Sequence, residues 1–426
     1  MPVTTPGTPR RVVAVFAACA LTAALSVGAP GLAVAAPSAP AAPDASDAPA
    51  ALAEFSAYTR FNIPGDDGTR DRTIEDEIVR LANGVPKGGY IRGAMFSWTS
   101  PPVAEALEQA AIRGVIVRLA IDREGADGSN QAAGNVAVST LKGAHLDDIT
   151  WCGSSAASVA GSSGCIANFA TSINHNKFFT FSTSGSVKRI VLQTSQNLTF
   201  SQNNLFNNAV IIHEDYDLYD HFTRYFNELR AETKNNDFYA STEGYYKSPD
   251  TAVTVYHSPR ATGDTVQSVL SYVTQFESGC TVEIAQASFT DARQAVANEL
   301  LRIANLGCKI RIVHSGMGSA VHNILAGSPN VSMKKYYDAE AGNIDGRVLE
   351  IHSKYLIVKG NYNGTAGRTI VFTGSHNLTG PSMTTHDETF MKIEHPTVSA
   401  NFRSNFATLW SRAKCVNPPA NENCVL

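Results

Sequence analysis

Two stretches of this sequence repeat one pattern, and the repeat limits the fold more than any other feature. His175-Asn176-Lys177 is followed by Thr194-Ser195-Gln196-Asn197-Leu198-Thr199, and His352-Ser353-Lys354 by Gly374-Ser375-His376-Asn377-Leu378-Thr379. Further upstream, Ala110-Ala111-Ile112-Arg113-Gly114-Val115-Ile116-Val117-Arg118 aligns with Ile303-Ala304-Asn305-Leu306-Gly307-Cys308-Lys309-Ile310-Arg311. A chain duplicated in this way points to two related halves with one site built from both.

Hydrophobic periodicity supports the duplication. In the first half, residues 90–98 read as a strand, 102–113 as a helix ended by Gly114, and 115–121 as a strand. Thr73-Ile74-Glu75-Asp76 resembles a helix start capped by Thr73. In the second half, 265–276 is helical in pattern, 281–287 a strand, 292–305 a helix ending at Gly307, and 309–314 a strand. Helical patterns close the halves at 218–232 and 398–412. Such alternation predicts an α/β fold with helices covering a sheet. Looser stretches at 153–170 and 339–346 read as loops over a site, and the polar stretch 235–250 as the boundary between halves.

The N-terminus has the parts of an export signal. Arg10 and Arg11 are followed by the apolar run 12–27 and then Ala33-Val34-Ala35, small residues suited to cleavage. The run is short for a membrane span, the competing explanation. The expected organisation is a leader over 1–35, an Ala/Pro-rich lead-in over 36–53, and lobes over 54–240 and 250–426. Seven cysteines include Cys19 inside the leader, which leaves an even number in an exported chain and favours disulfides. Neighbours in sequence suggest Cys152–Cys165, Cys280–Cys308 and Cys415–Cys424, among the fifteen pairings that six cysteines allow. No Cys-x-x-Cys or His-Glu-x-x-His is present to favour zinc instead. The formal charge of -4 becomes about -6 without Arg10 and Arg11. That is not the basic footprint of a nucleic-acid binder, although a local basic groove stays open.

Residues 173–181 and 349–358 both read as strands, in which positions i and i+2 share a face. His175 and Lys177 would then point one way, as would His352 and Lys354. Apolar strands at 189–193 and 369–372 follow and run into the Ser-x-Asn turns. The chemistry that needs these residue types is attack on a phosphodiester. Its anionic oxygens require fixed positive charge and donors, which lysines and asparagines supply. A neutral imidazole can take the phosphoryl group covalently, and a second imidazole can exchange a proton with the leaving alcohol and the incoming water. No metal or other cofactor is required. Each residue also has a bland explanation: strand histidines, solvated lysines, turn asparagines.

The paired His-x-Lys and Ser-x-Asn segments resemble the HKD motifs of the phospholipase D superfamily, over most of the chain after about Ala57. The resemblance implies two similar α/β/α lobes, each a mixed sheet flanked by helices, related by a pseudo-twofold duplication. It also implies a metal-free, two-step phosphodiesterase with its site between the lobes. His175, Lys177, Asn197, His352, Lys354 and Asn377 take the catalytic motif positions, and Ser195 and Ser375 the substrate-side positions next to the asparagines. The sequence departs from the family pattern H-x-K-x-x-x-x-D, because Ser182 and Lys359 stand where the aspartates belong. The superfamily's tyrosyl-DNA phosphodiesterases lack them too. Glu388 lies thirteen residues beyond Ser375, whereas Asn208 lies thirteen beyond Ser195. In the family, a carboxylate near this place orients a catalytic histidine, often across the lobes. Glu388 would then hold His175 as nucleophile and leave His352 as acid and base; the reverse assignment is the alternative.

These expectations describe a secreted phosphodiesterase that hydrolyses phospholipids to phosphatidic acid and a head-group alcohol, with transphosphatidylation as a related outcome. Its partners would be the phospholipid and, transiently, a membrane surface touched by the loop between Cys152 and Cys165. Two alternatives remain. One is a nuclease or other nucleic-acid phosphodiesterase on the same scaffold, the reading in which nucleic acid is a partner. The other is a non-catalytic phosphate- or lipid-binding protein.

Overall fold

The computed structural model describes residues 55–143, 146, 148–338, 349–413 and 415–416. The expected leader, lead-in, 339–346 loop and Cys424 lie outside them. The first half contains β1 (Ser56–Asn62), α1 (Thr73–Asn83), β2 (Tyr90–Met95), α2 (Pro101–Ile112), β3 (Ile116–Asp122) and α3 (Val136–Gly143). It continues with β4 (Asp148–Cys152), β5 (Lys177–Ser184), β6 (Val187–Thr194), β7 (Asn207–His213) and α4 (Tyr216–Ala231). The second half begins with β8 (Tyr245–Lys247), β9 (Val253–Ser258), α5 (Thr265–Ser271), β10 (Thr281–Phe289), α6 (Gln294–Asn305) and β11 (Lys309–Met317). After it come α7 (Ser319–Ala326), β12 (Val331–Lys335), the short pair β13 (Tyr337–Asp338) and β14 (Leu349–Glu350), and β15 (Lys354–Tyr362). The chain closes with β16 (Thr365–Gly374), α8 (Gly380–Thr384), β17 (Glu388–Ile393), α9 (Pro396–Arg412) and β18 (Cys415–Val416).

The strand orders are those of a duplication. The first sheet runs β1-β7-β6-β5-β2-β3-β4. Read from its other end, the second runs β8-β9-β17-β16-β15-β10-β11-β12-β18, the same order with an added strand at each edge. Both sheets are mixed: β2, β3 and β4 are parallel, as are β10, β11 and β12, and the remaining neighbours are antiparallel. β8, from the polar stretch between the halves, pairs with β9 and belongs to the second sheet.

Amphipathic helices explain the layering. α1 buries Ile74, Ile78, Leu81 and Ala82, and α6 buries Val296, Ala297, Leu300, Ile303 and Ala304, each set recurring at helical spacing. They join outer cores on their own sheets. A third core lies between the sheets, where α4 and α9 pack through Phe222, Tyr225, Phe402 and Phe406 against both halves. Gly114 and Gly307, with φ of 88° and 109°, end α2 and α6 at equivalent points in a conformation that L side chains rarely adopt. Gly374 has another constraint: a Cβ there would collide with the Thr389 carbonyl on the adjacent strand.

Three local expectations are corrected. Thr73 is the first helical residue of α1, not its cap; Asp71 accepts both the Thr73 N–H at 2.8 Å and its hydroxyl at 2.6 Å. α5 stops at Ser271 rather than residue 276, because β-branched Val273 and Thr274 interrupt it and the Val273 N–H turns back to the Leu270 carbonyl. The continuous strand expected over 173–181 begins only at Lys177, and the one expected over 349–358 is split into β14 and β15, the latter beginning at Lys354. The residues just before these two lysines leave their own sheet to pair with the other half: Asn174 bridges to Asp387, and Ile351 to Phe206.

Candidate active site

The bridges that pull these segments out of their sheets also set the histidines. His175 N–H donates to the Asp387 carbonyl at 3.0 Å, and His352 N–H to the Phe206 carbonyl at 2.9 Å. The anchoring behind them is equivalent in the two halves. Asp122, at the end of β3, accepts the Asn174 N–H at 2.8 Å; Ser315, at the matching place on β11, accepts the Ile351 N–H at 2.6 Å. Trp98 and Phe289, both fully buried, bridge to Leu198 and Leu378 and fix the two Ser-x-Asn-Leu turns beside the strand ends. Ligands of α/β sheets gather at such carboxyl ends.

Each imidazole is held by a residue from the opposite half. His175 Nδ1 lies 2.8 Å from Glu388 Oε1, and His352 Nδ1 lies 2.9 Å from Asn207 Oδ1. With the carboxylate ionised, the His175 proton sits on Nδ1 and Nε2 carries a free lone pair. Asn207 is the counterpart of Glu388; Asn208, the residue expected at that place, is not. Ser195 accepts from the Asn208 N–H across 13 residues, while Ser375 accepts from the Thr389 N–H across 14. The first turn is one residue shorter, so equal counting overshoots by one. Asn208 instead accepts the Lys354 N–H at 3.0 Å and donates to Thr373 Oγ1 at 2.8 Å, tying the two sheets together.

Lys177 and Lys354 open β5 and β15 at matching positions, paired with Met95 on β2 and Gln286 on β10. Both are buried, and each donates to the carbonyl of its own histidine, at 2.8 and 3.0 Å. Lys354 Nζ also lies 3.2 and 3.3 Å from the two ring nitrogens of His352. Burial, then the charges of Lys177, Lys354 and His386, hold His175 well below the ordinary imidazole range. His352 is lowered by burial, Lys354, Lys177 and His175. Both rings therefore sit in the field of both lysines, which with burial favours their neutral form. Burial also depresses the lysines, Lys177 strongly and Lys354 to about 7. Burial raises Glu388, opposed by His376, Lys177, His386 and a hydrogen bond from Ser375. An oxyanion entering this pocket would favour the charged form of both lysines.

Asn197 and Asn377, on the two Ser-x-Asn turns, have buried side-chain oxygens without a hydrogen-bond partner among the described residues. Ser195 and Ser375, expected on the substrate side, are fully buried; their hydroxyls accept the Asn208 and Thr389 N–H groups at 3.0 Å. Ser195 also donates to Asn207 at 2.9 Å. They brace the turns from beneath, because the sharp return of the chain after β6 and β16 leaves those N–H groups in need of an acceptor. The missing aspartates are remote. Ser182 lies five residues along β5 from Lys177, about 16 Å at 3.3 Å per residue, and its hydroxyl accepts the Tyr90 N–H at the far end of the sheet.

Sequence reasoning missed four contributors. Asn207 was hidden by the one-residue difference between the turns. Phe96 follows β2, with its ring 5.1 Å from that of His175 and 5.4 Å from Lys177 Nζ. His386 lies 6.2 Å from His175, ring to ring. Asp387 accepts the N–H groups of Cys165, Ile166 and Ala167 at 2.6, 3.1 and 2.6 Å, and burial pushes it up to about 7. The Cys152–Cys165 and Cys280–Cys308 disulfides are formed. Among the described residues no group of three His, Cys, Asp or Glu side chains could hold a metal ion.

Comparison with known proteins supports the duplication. The family described as "Cardiolipin synthase, PLD-like domain" matches residues 88–230 and again 275–410. Phosphatidylserine synthase of Haemophilus influenzae Rd KW20 is similar in structure, with a TM-score of 0.56 at 11% identity over 85% of this chain and 89% of that one. Polyphosphate kinase of Porphyromonas gingivalis also gives 0.56, at 14% identity over 84% of this chain; the match spans 48% of the kinase. A yeast tyrosyl-DNA phosphodiesterase gives 0.43 at 11% identity, over 80% of this chain and 88% of that one. At these identities the first two likenesses show the fold alone. None of the curated proteins matches the sequence.

Proposed function

The chain belongs to the family described as cardiolipin synthase, PLD-like domain, within the phospholipase D superfamily, and from that premise we propose that it is an exported phospholipase D. Members of the superfamily are phosphodiesterases or phospholipid-modifying enzymes. The observation that carries the proposal is the crossed pairing of the histidines, with Glu388 on His175 and Asn207 on His352.

The asymmetry supports one division of the roles. A carboxylate on Nδ1 raises the basicity of His175 and aims its free Nε2 lone pair, as a nucleophile needs. His175 attacks phosphorus, the bond from phosphorus to the head-group oxygen breaks, and His352 protonates the leaving alkoxide. The product is a phosphatidyl-histidine. His352 then removes a proton from water, water attacks phosphorus, the P–N bond breaks, and phosphatidic acid leaves. An alcohol in place of water gives transphosphatidylation. Lys177, Lys354, Asn197 and Asn377 hold the phosphate oxygens. Binding of the anion charges the lysines, and the first proton that His352 donates is gained as the phosphate enters. The two lobes are taken as 54–240 and 250–426, although β8 (Tyr245–Lys247) lies between those bounds.

Export is supported by the N-terminal pattern and the two disulfides. Among the described residues no helix is long and apolar enough to cross a membrane. The deciding experiment offers a phospholipid panel and single- and double-stranded DNA to the purified protein, with chelator and no added metal. Head-group release is expected; cleavage of DNA alone would replace this reading with the nuclease one.

A further inference from the structure

We infer that the loop between β4 and β5 is a docking surface for an electrically neutral, zwitterionic lipid surface, placed at the mouth of the site. The inference deepens the reading above and rests on it only for what is hydrolysed after docking.

The stretch from Ile149 to Asn176 contains no Asp, Glu, Lys or Arg, in a chain of which 17% of residues are charged. Its exposed tip is apolar: Val159 is 42% exposed and Phe169 36%, with Ala156, Ala157, Ala160 and Ala170 exposed around them. The tip is held together as one surface. Asn168 accepts the Val159 N–H at 2.8 Å and donates to the Ala157 carbonyl at 3.0 Å, and the Phe169 N–H donates to Ser172 Oγ at 2.7 Å. The Cys152–Cys165 disulfide closes its base. Charged groups touch the base of the loop and not its tip: Arg123 and Lys234 donate to the Gly153, Gly164 and Cys165 carbonyls, Glu232 accepts the Gly153 N–H, Asp387 accepts the Cys165, Ile166 and Ala167 N–H groups, and Asp122 accepts from Ser163 and Asn174. The loop then runs into the site. Exposed Thr171 offers its carbonyl to the His386 side chain, whose ring is 6.2 Å from His175, and Ile173 accepts the Asp387 N–H.

Charge decides the partner. A polyanion such as DNA needs lysines and arginines at its contact surface, and so does an anionic membrane. This surface offers neither. Two apolar side chains on an uncharged loop gain free energy by leaving water at an interface that carries no net charge.

The test is co-sedimentation of the full chain, carrying His352→Ala to prevent turnover, with phosphatidylcholine vesicles. Val159→Asp with Phe169→Asp is expected to lower partitioning by about tenfold or more. Phe276→Asp is the control. Phe276 is 56% exposed but precedes β10, at the end of that strand remote from the site, and its change should leave partitioning unaltered. Circular dichroism checks that the double variant is folded. Partitioning that survives in the folded double variant, or that falls equally in the control, overturns the inference. So does stronger binding to DNA or to anionic vesicles that depends on the same two residues. Because binding is read without turnover, a protein that docks through this loop yet releases no head group would sink the proposed activity and leave the docking surface standing.

Discussion

His175 and Glu388 are joined Nδ1 to Oε1 at 2.8 Å, although 213 residues separate them and they come from different halves. Neither half alone can make this contact. Replacing Glu388 by Gln keeps an acceptor but removes the charge that supports imidazolium character as His175 bonds to phosphorus. The expected loss in kcat lies between about 100- and 10,000-fold, the scale seen when a catalytic imidazole loses its carboxylate partner. Rapid-quench measurement of phosphoenzyme formation checks it. An E388Q enzyme with wild-type rates would remove His175 from the nucleophile's role.

His352 has an amide where His175 has a carboxylate. N207D would place a negative charge 2.9 Å from His352 Nδ1 and favour the imidazolium. His352 is held low by burial and by Lys354, Lys177 and His175, so the change raises its pKa. If His352 donates the proton to the leaving group, it must be protonated when the first step begins, and the alkaline limb of the kcat/KM profile should move to higher pH by about one unit. The Gln202 and Leu205 carbonyls now take bonds from the amide, so some stability is lost as well. A profile whose alkaline limb does not move would assign the proton to another group.

How much of this was readable in the sequence follows from how local each signal is. The paired motifs, the helix-ending Gly114 and Gly307, and the matching places of Trp98 and Phe289 are local patterns, and the duplicated sheet order agrees with them. The segments holding His175 and His352 were read as continuous strands because their apolar alternation is real, but Asn174 and Ile351 spend their pairing on the other half. Only the assembled fold reveals that. Asn207 was missed for a related reason: equal spacing from Ser195 and Ser375 assumes equal turns, and the turns differ by one residue. The three N–H groups that converge on Asp387 carry no side-chain signature at all.

Buried lysines make anion binding a protonation event. Lys354 is depressed to about 7 by burial, and Lys177 is lowered strongly by the same cause. At pH 8 Lys354 is therefore mostly neutral before an anion binds, Lys177 is shifted in the same direction, and a bound oxyanion raises both. Orthophosphate binding should therefore take up protons at pH 8 and weaken as pH rises further. Calorimetry in buffers of different ionisation enthalpy reads the uptake, which K354M should reduce. Equal heats in all buffers would mean that both ammoniums are already charged before the ligand arrives.

The two disulfides should differ in what they protect. Cys280–Cys308 joins the residue before β10 to the residue before β11 and supports the outer core of the second half. Cys152–Cys165 instead fixes the segment whose N–H groups hold Asp387; Asp387 in turn accepts the His175 N–H and precedes Glu388. Both close loops of modest length, 28 and 13 residues, so serine replacement of either pair should cost about 2–4 kcal/mol and lower the melting temperature. Activity should separate them. Assayed well below both melting temperatures, C280S/C308S should retain most of its kcat. C152S/C165S should lose about tenfold or more, because displacing Asp387 loosens the partner of His175. Equal kcat in the two folded variants would show that the Asp387 anchor holds its place without the disulfide.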